Sequence, residues 1–363
     1  MTRSSFASFA AYGPNGASTR VRLLDWARYL GFDPALQDFL GTNATSPRVL
    51  VANIVRVARL EAHLRRLRPT WDTTFIQRCA SPLSAGAIEE RLLRLSSYGV
   101  YDLDDAVFLP SGSKLYDGFR RHHVPARAAK QADIVIAGNA YLADWASEHA
   151  KRVVVIPSCV ATDLVVAKTD YALHDAPRIC WIGSHSTESY LVDIASSLLD
   201  VHHQTGARIR LIGSPTGKLP AALEAMVDRI PWAADTCADE AAACDVGIMP
   251  VPDDAWAKGK CGYKLIQYGA LGLPVVGTPV GVNAEILSRL GGHAPKSANE
   301  WAPALADYFG QSDAQRAAVG QQARSAVENY YSFRAHAATF VEAVFPAGVP
   351  VAPATASSSV PRG

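Results

Sequence analysis

From residue 6 onward the chain alternates short apolar runs with longer stretches whose apolar residues recur every three to four positions. The runs TTFIQR (73–78), VYDLDD (100–105), DIVIAG (133–138) and VVVIP (153–157) read as buried strands, each bounded by polar or turn residues. Ahead of them, MTRSSFASFAAYGPNG predicts a first strand and a loop rather than a signal-peptide core, because its apolar patch runs straight into Gly-Pro-Asn-Gly. Helical spacing falls around 18–30, 49–68, 85–96 and 141–149. A second strand series follows, RICWIG (178–183), ARIRLIG (207–213), DVGIMPV (245–251) and LPVVGT (273–278), spaced by helices near 188–203, 217–228, 262–271 and 283–290 and closed by one at 313–328.

Strands alternating with helices are the signature of parallel α/β layers. The expected architecture is α/β with two Rossmann-like domains: an N-terminal one over 1–160, a linker over 161–176 and a C-terminal one over 177–328. The stretch 329–346 carries Phe333, Ala337, Phe340, Val341 and Val344 at helical spacing, which predicts an amphipathic helix crossing back to the first domain. The Pro/Ala/Ser-rich 347–363 reads as a disordered tail. In open α/β sheets ligands bind beyond the carboxyl ends of the strands, so a cleft between the domains is the expected site.

Composition narrows the function. With 49% apolar and 19% charged residues the 363-residue chain is globular, and 35 Lys+Arg against 34 Asp+Glu leave a net charge of +1, which excludes a dedicated nucleic-acid binder. The charge is split: residues 1–150 hold 18 basic and 14 acidic residues, net +4, and 151–363 hold 17 and 20, net −3. No window offers the roughly 18 uncharged apolar residues of a membrane-spanning helix. Cys79, Cys159, Cys180, Cys237, Cys244 and Cys261 form no Cys-x-x-Cys pair and read as buried thiols of a cytoplasmic protein, with no zinc site. Two basic stretches, 49–69 and 113–131, fit either the solvated outer face of a Rossmann helix or a peripheral contact with an anionic membrane on the inner face of the cell.

The most informative stretch is DVGIMPVPDDAWAKGKCGYKLIQYGALGLPVVGTPVGVN (245–283). A strand ends near Pro250, a loop with Lys258, Gly259 and Lys260 follows, and Gly262 opens a helix. Glycines admit close backbone approach, the free N–H groups and dipole of a helix start attract an anion, and Lys258, Lys260 and Lys264 add full charges suited to a diphosphate. In WIGSHSTES (181–189) a strand feeds Gly183 and Ser184, with Ser186 or Thr187 as the expected helix cap. The loop GPNGASTRVRLLDW (13–26) presents Gly16 and Arg20, and Arg78 closes TTFIQR. In YDLDDAVF (101–108) strand alternation sends Asp102 and Asp104 to one face and Asp105 to the other. The first two suit acceptor hydrogen bonding or general-base work, or else act as loop-fixing caps.

The run 245–283 resembles the donor-binding region of glycosyltransferase family 4, retaining enzymes of the two-Rossmann-domain GT-B type, in a subgroup with G-K-C-x-[FY]-K-L-[IL]-Q-Y followed by G-x-P-V-V and P-V-G-V-N. YDLDDAVF (101–108), ADIVIAGNAYLADW (132–145), VVVIPSCVATD (153–163), WIGSHSTESYL (181–191) and ADEAAACDVGIMP (238–250) match in the same order. The resemblance implies a nucleotide-diphosphate sugar donor, a glycan, lipid-linked or small-molecule acceptor, and no metal or other cofactor. It implies donor contacts at Gly183, Ser184, Lys258, Lys260, Gly262, Lys264, Val282 and Asn283, a nucleobase near Trp232, and Gly16 and Arg20 toward the diphosphate or acceptor. Asp102, Asp104 and Lys264 then stand as the catalytic candidates.

One departure stands out. The larger family carries two glutamates eight residues apart, and aligning Gly272-Leu273-Pro274 puts Gly259 and Gln267 in their places. Gln267 still offers hydrogen bonds to a ribose; the lost sugar-binding carboxylate is sought at Asp253, Asp254 or Glu285. Rival readings keep the fold and change the chemistry, to an inverting transferase or a sugar-nucleotide epimerase, or discard catalysis for a two-lobed sugar-binding protein or a degenerate partner.

Overall fold

The computed structural model describes residues 5–41, 47–68, 71–110, 121–217 and 219–349. The tail beyond 349 and residues 113–120 of the basic stretch 113–131 lie outside the described residues. The chain divides into two compact units, one running to Pro157 and resuming at Ala337, the other spanning Ser158–His336.

The first unit holds a parallel six-stranded sheet in the order β2-β1-β3-β4-β5-β6. Its strands are β1 Phe6–Ala10, β2 Leu36–Asp38, β3 Thr73–Gln77, β4 Tyr98–Leu103, β5 Ile134–Ala137 and β6 Val153–Val155. The second holds a parallel five-stranded sheet in the order β11-β10-β7-β8-β9, from β7 Arg178–Ile182, β8 Arg208–Gly213, β9 Val227–Pro231, β10 Val246–Met249 and β11 Val275–Gly277. Both are doubly wound Rossmann-like sheets, and together they form the two-domain GT-B fold.

Alternation along a strand explains why the sequence shows continuous apolar runs. In β7, Ile179 and Trp181 enter one core layer with Leu211, Val246 and Trp301, while Cys180 and Ile182 enter the opposite layer with Leu265, Tyr268 and Ile286. Both faces are covered, so every position is apolar. In the first unit the last helix, Phe333–Val344, supplies Phe340, stacked on Trp26 with ring centroids 4.1 Å apart, and Phe345 just beyond it packs on Phe6 and Phe32. All six cysteines are buried. Among the described residues no helix is long and apolar enough to cross a membrane.

Several elements differ from expectation. The helix expected over 49–68 breaks at Asn53 into Pro47–Ala52 and Ile54–Arg66; Asn53 leaves the helical region (φ −112°, ψ 25°), and its side-chain amide donates to the Val49 carbonyl (2.9 Å) beside its own backbone N–H (3.1 Å). The helix expected over 217–228 shrinks to Ala221–Glu224, and β9 takes over at Val227. That strand, VDRIP, lies at the sheet edge, where one exposed side removes the need for an apolar run and tolerates proline. The edge strand β2, shorter still at three residues, went unpredicted, as did the helix Trp301–Gly310.

Candidate functional site

In the second unit β7 and β10 are sheet neighbours whose connections leave in opposite directions, toward β8 and β11. Such a switch point opens a crevice at the carboxyl ends of the two strands. The segments emerging there are Gly183–Thr187 after β7 and Pro250–Gly262 after β10, which hold Gly183, Ser184, Lys258, Lys260 and Gly262; Lys264 sits in the first turn of the following helix, Tyr263–Ala270. The sequence-derived donor residues of the two segments thus share one end of one sheet.

Glycine is required at two of these positions for different reasons. Gly262 has φ 63°, and a Cβ there would meet the Ile286 side chain at 2.3 Å. Gly183 sits over the Trp181 ring, which a Cβ would strike at 2.2 Å. Beneath the loops, the Tyr268 hydroxyl accepts from the Ile182 N–H (2.8 Å) and fixes the end of β7. The strand ends are also stitched laterally: the Gly183 N–H donates to the Ile212 carbonyl (3.1 Å) and the Trp232 N–H to the Gly213 carbonyl (3.1 Å). Trp232 therefore follows β9 beside this end of the sheet, half-buried with its ring against the core.

The lysines spread over the helix start. Lys264 Nζ lies 5.6 Å from the Trp181 ring centroid, Lys260 Nζ 5.9 Å from that of Trp256, and Lys258 pairs with exposed Asp253 at 3.3 Å. Gln267, three residues after Lys264, shares its helix face. Val282 and Asn283 begin the neighbouring helix Asn283–Leu290; the Asn283 amide donates to the Thr278 carbonyl (3.2 Å), and the Thr278 hydroxyl accepts from the Val251 N–H (3.2 Å). The carboxylates considered in place of Gly259 are already engaged: Asp254 caps the Ala255–Lys258 helix through the Ala257 N–H (2.6 Å), Asp253 holds Lys258, and Glu285 pairs with Arg289 at 2.5 Å.

Two details correct the sequence reading. Neither Ser186 nor Thr187 caps the helix after β7; the Thr187 hydroxyl donates to the Ser184 carbonyl (3.1 Å), and the helix Ser189–Val192 starts without a side-chain cap. The loop is held instead by buried Glu188, which accepts from Arg229 (3.2 and 3.3 Å). Arg229 also donates to Glu224 and to the Ser214 carbonyl. This positioning cluster went unnoticed because Glu188 lies 41 residues from Arg229, and a lone Glu or Arg carries no local signal.

In the first unit the switch lies between β1 and β3, and the segments after β1, β3 and β4 converge. Arg78, just past β3, has φ 62°, a sparsely populated conformation for a non-glycine residue that costs roughly 1–3 kcal/mol. Its Nε donates to Asp104 (2.6 Å), its Nη2 to Asp105, and its guanidinium lies 5.4 Å from the Tyr12 ring centroid. Asp104 also accepts from Gln77 Nε2 (2.9 Å). Asp104 and Asp105 therefore hold the same guanidinium, contrary to the expectation that Asp105 faces away: β4 ends at Leu103, and strand alternation stops with it.

Asp102 lies deeper, 1% exposed, in an ion pair with Arg22 (2.6 Å), whose other arm donates to the Ile156 carbonyl (2.8 Å). Burial pushes its carboxyl up to about 6 against the pull of Arg22. For Asp104 burial also raises the pKa, but the charge and hydrogen bond of Arg78 win and hold it below the ordinary value. Gly16 is buried in the turn before the first helix, its N–H donating to the Gly13 carbonyl (2.8 Å), and Arg20 stands 3.6 Å from Asp25.

The Asp102 shift has a testable sign. A carboxyl raised above its unfolded value binds its proton more tightly when folded, so its contribution is full below the ordinary value near 3.8 and is lost as pH rises through about 6. Thermal melts at pH 5 and pH 7 are expected to show the wild type gaining stability relative to Asp102→Asn on going to the lower pH; a constant difference contradicts the assignment.

Residues 176–310 match the family model of Glycosyl transferases group 1. That match lies within the second unit. Both switch-point loops, the three lysines, Gln267 and Asn283 fall inside it. Among solved structures, HepE of Anabaena in complex with UDP-glucose is similar over 93% of this chain and 98% of its own, with TM-score 0.67 and 15% identity. A glycosyltransferase from Rickettsia africae covers 94% and 98% (TM-score 0.61, 14% identity), and a UDP-forming alpha,alpha-trehalose-phosphate synthase from Burkholderia xenovorans covers 94% and 98% (TM-score 0.63, 11% identity). At these identities the likeness establishes the fold. No curated protein matches the chain by sequence.

Proposed function

We propose that the protein is a retaining glycosyltransferase that moves a sugar from a nucleotide-diphosphate donor to a glycan, lipid-linked or small-molecule acceptor. The observation that carries this reading is the gathering of the Gly183 loop, the lysine-bearing loop and a helix start at the switch point of a group 1 domain. The HepE structures with UDP and with UDP-glucose support a uridine diphosphate donor. The motif run 259–268 supports the retaining, family 4 assignment.

In this reading Lys258, Lys260 and Lys264, with the helix N–H groups, stabilise the diphosphate as negative charge develops on the leaving group, without a metal. Gln267, on the face of Lys264, hydrogen-bonds the ribose, and Trp232 lies toward the base. Acceptor recognition belongs to the first unit. There Asp104 is the better-placed carboxylate, since Asp102 is closed off by Arg22 and serves to position it. Gly259 and Gln267, where the larger family has glutamates, favour one second reading, a non-catalytic binder.

Thermal-shift measurements with uridine, guanosine and thymidine diphosphates test the donor site, since a ligand that binds only the folded chain stabilises it by about 2.7 kcal/mol at a hundredfold excess over Kd. UDP is expected to give the largest shift; no shift with any of the three contradicts a nucleotide-diphosphate donor. NMR of the product's anomeric carbon then separates retention from inversion.

A further inference from the structure

A different surface, on the first unit, presents the opposite of what a solvated helix requires. At the corner between the helices Pro47–Ala52 and Ile54–Arg66, Val51, Ile54 and Val55 are 62%, 53% and 60% exposed. They are not the inward face of either helix. Leu50 and Val57 fill that role, buried with Phe39, Leu40, Cys79 and Val124. The corner is therefore anchored on one side and apolar on the other.

Along this segment the exposed charged side chains are all arginines, one of which, Arg65, lies 3.7 Å from the single carboxylate. Between residues 47 and 68 the sequence carries six arginines and one glutamate, and that glutamate, Glu61, is buried and accepts from Ser81 and from the Leu83 N–H. Arg56, Arg59, Arg65 and Arg66 are exposed. Val55, Arg59 and Arg66 follow one another along a single helical stripe, so apolar tip and cationic flank face the same way.

We propose that this corner docks the protein on an anionic lipid surface, with Val51, Ile54 and Val55 entering the headgroup boundary and the arginines meeting the lipid phosphates. The pattern of apolar tip and cationic flank is what interfacial helices use. A second copy of the chain is the poorer occupant, because an isologous contact would bring the two arginine stripes together. The inference does not rest on the donor reading, and UDP affinity measured in the same variants separates the two.

The test is co-sedimentation of the full chain with phosphatidylcholine vesicles, with and without phosphatidylglycerol. Binding is expected only with phosphatidylglycerol and is expected to weaken as salt is raised. The double variant Ile54→Asp/Val55→Asp is expected to lose it while keeping its melting temperature and UDP affinity. Arg59→Gln/Arg66→Gln, which leaves the apolar tip intact, is expected to bind roughly tenfold or more weakly, each basic residue near such a surface being worth about a factor of five. Equal binding by wild type and both variants, no binding to anionic vesicles, or a wild-type dimer that Ile54→Asp/Val55→Asp converts to monomer would overturn the proposal.

Discussion

Replacing Lys264 with alanine is expected to weaken UDP binding by about ten- to a hundredfold, read by calorimetric titration, with no change in melting temperature. The size follows from the chemistry: a hydrogen bond to a charged group contributes roughly 1.5–3 kcal/mol, and each 1.4 kcal/mol is tenfold in affinity. Lys264 is the choice because it stands in the first turn of the Tyr263–Ala270 helix, where the helix N–H groups and dipole act on the same anion. Its side chain is half-exposed and crosses the Trp181 ring, so its removal leaves no buried charge behind. Lys264→Arg is expected to recover only part of the affinity, since a planar fork and a point charge present different donors. Unchanged affinity in Lys264→Ala would remove the diphosphate from this helix start.

The largest stability effect is expected in the other unit. Arg22→Ala strands the Asp102 carboxylate, 1% exposed, and deletes the donor to the Ile156 carbonyl. Breaking a buried ion pair from one side costs about 3–5 kcal/mol, because the surviving charge is left uncompensated. Urea denaturation monitored through the aromatic cluster of Trp26 and Phe340 is expected to show a loss of that size. Arg22→Ala/Asp102→Ala together are expected to cost less than Arg22→Ala and Asp102→Ala added, since the double variant leaves no lone charge. Additive costs would mean that the pair acts through its shape alone.

The central strands were legible because a strand covered on both faces must be apolar throughout, and β3, β4, β5, β7, β8 and β10 all begin within two residues of the runs that predicted them. The edge strands divide: Val153–Val155 and Val275–Gly277 keep apolar runs and were legible, whereas Leu36–Asp38 and Val227–Pro231, which also pair on one side only, carry polar and charged residues and were not. The residues gathered after β10 were legible for a related reason: glycine, lysine and a helix start are adjacent in sequence, and the fold needs only to place them at a strand end. The network of Arg22, Arg78 and Asp102–Asp105 in the first unit was legible as a list of residues and not as an arrangement. Arg22 and Asp102 are eighty residues apart, and Asp104 and Asp105 lie 26 and 27 residues beyond Arg78; nothing local shows that Asp102 turns inward while Asp104 and Asp105 share one guanidinium.

The central claim, that the second unit binds a nucleotide-diphosphate sugar whose diphosphate leaves under the charge of Lys264 and its neighbours, is tested most directly by nucleotide release. Pure wild-type protein and Lys264→Ala are incubated with UDP-glucose and other nucleotide sugars, with a panel of glycan and lipid-linked acceptors, and free nucleoside diphosphate is measured. Release of UDP by the wild type, dependent on acceptor and reduced at least tenfold in Lys264→Ala, is the predicted result; no release from any donor, or release that Lys264→Ala leaves unchanged, would contradict it.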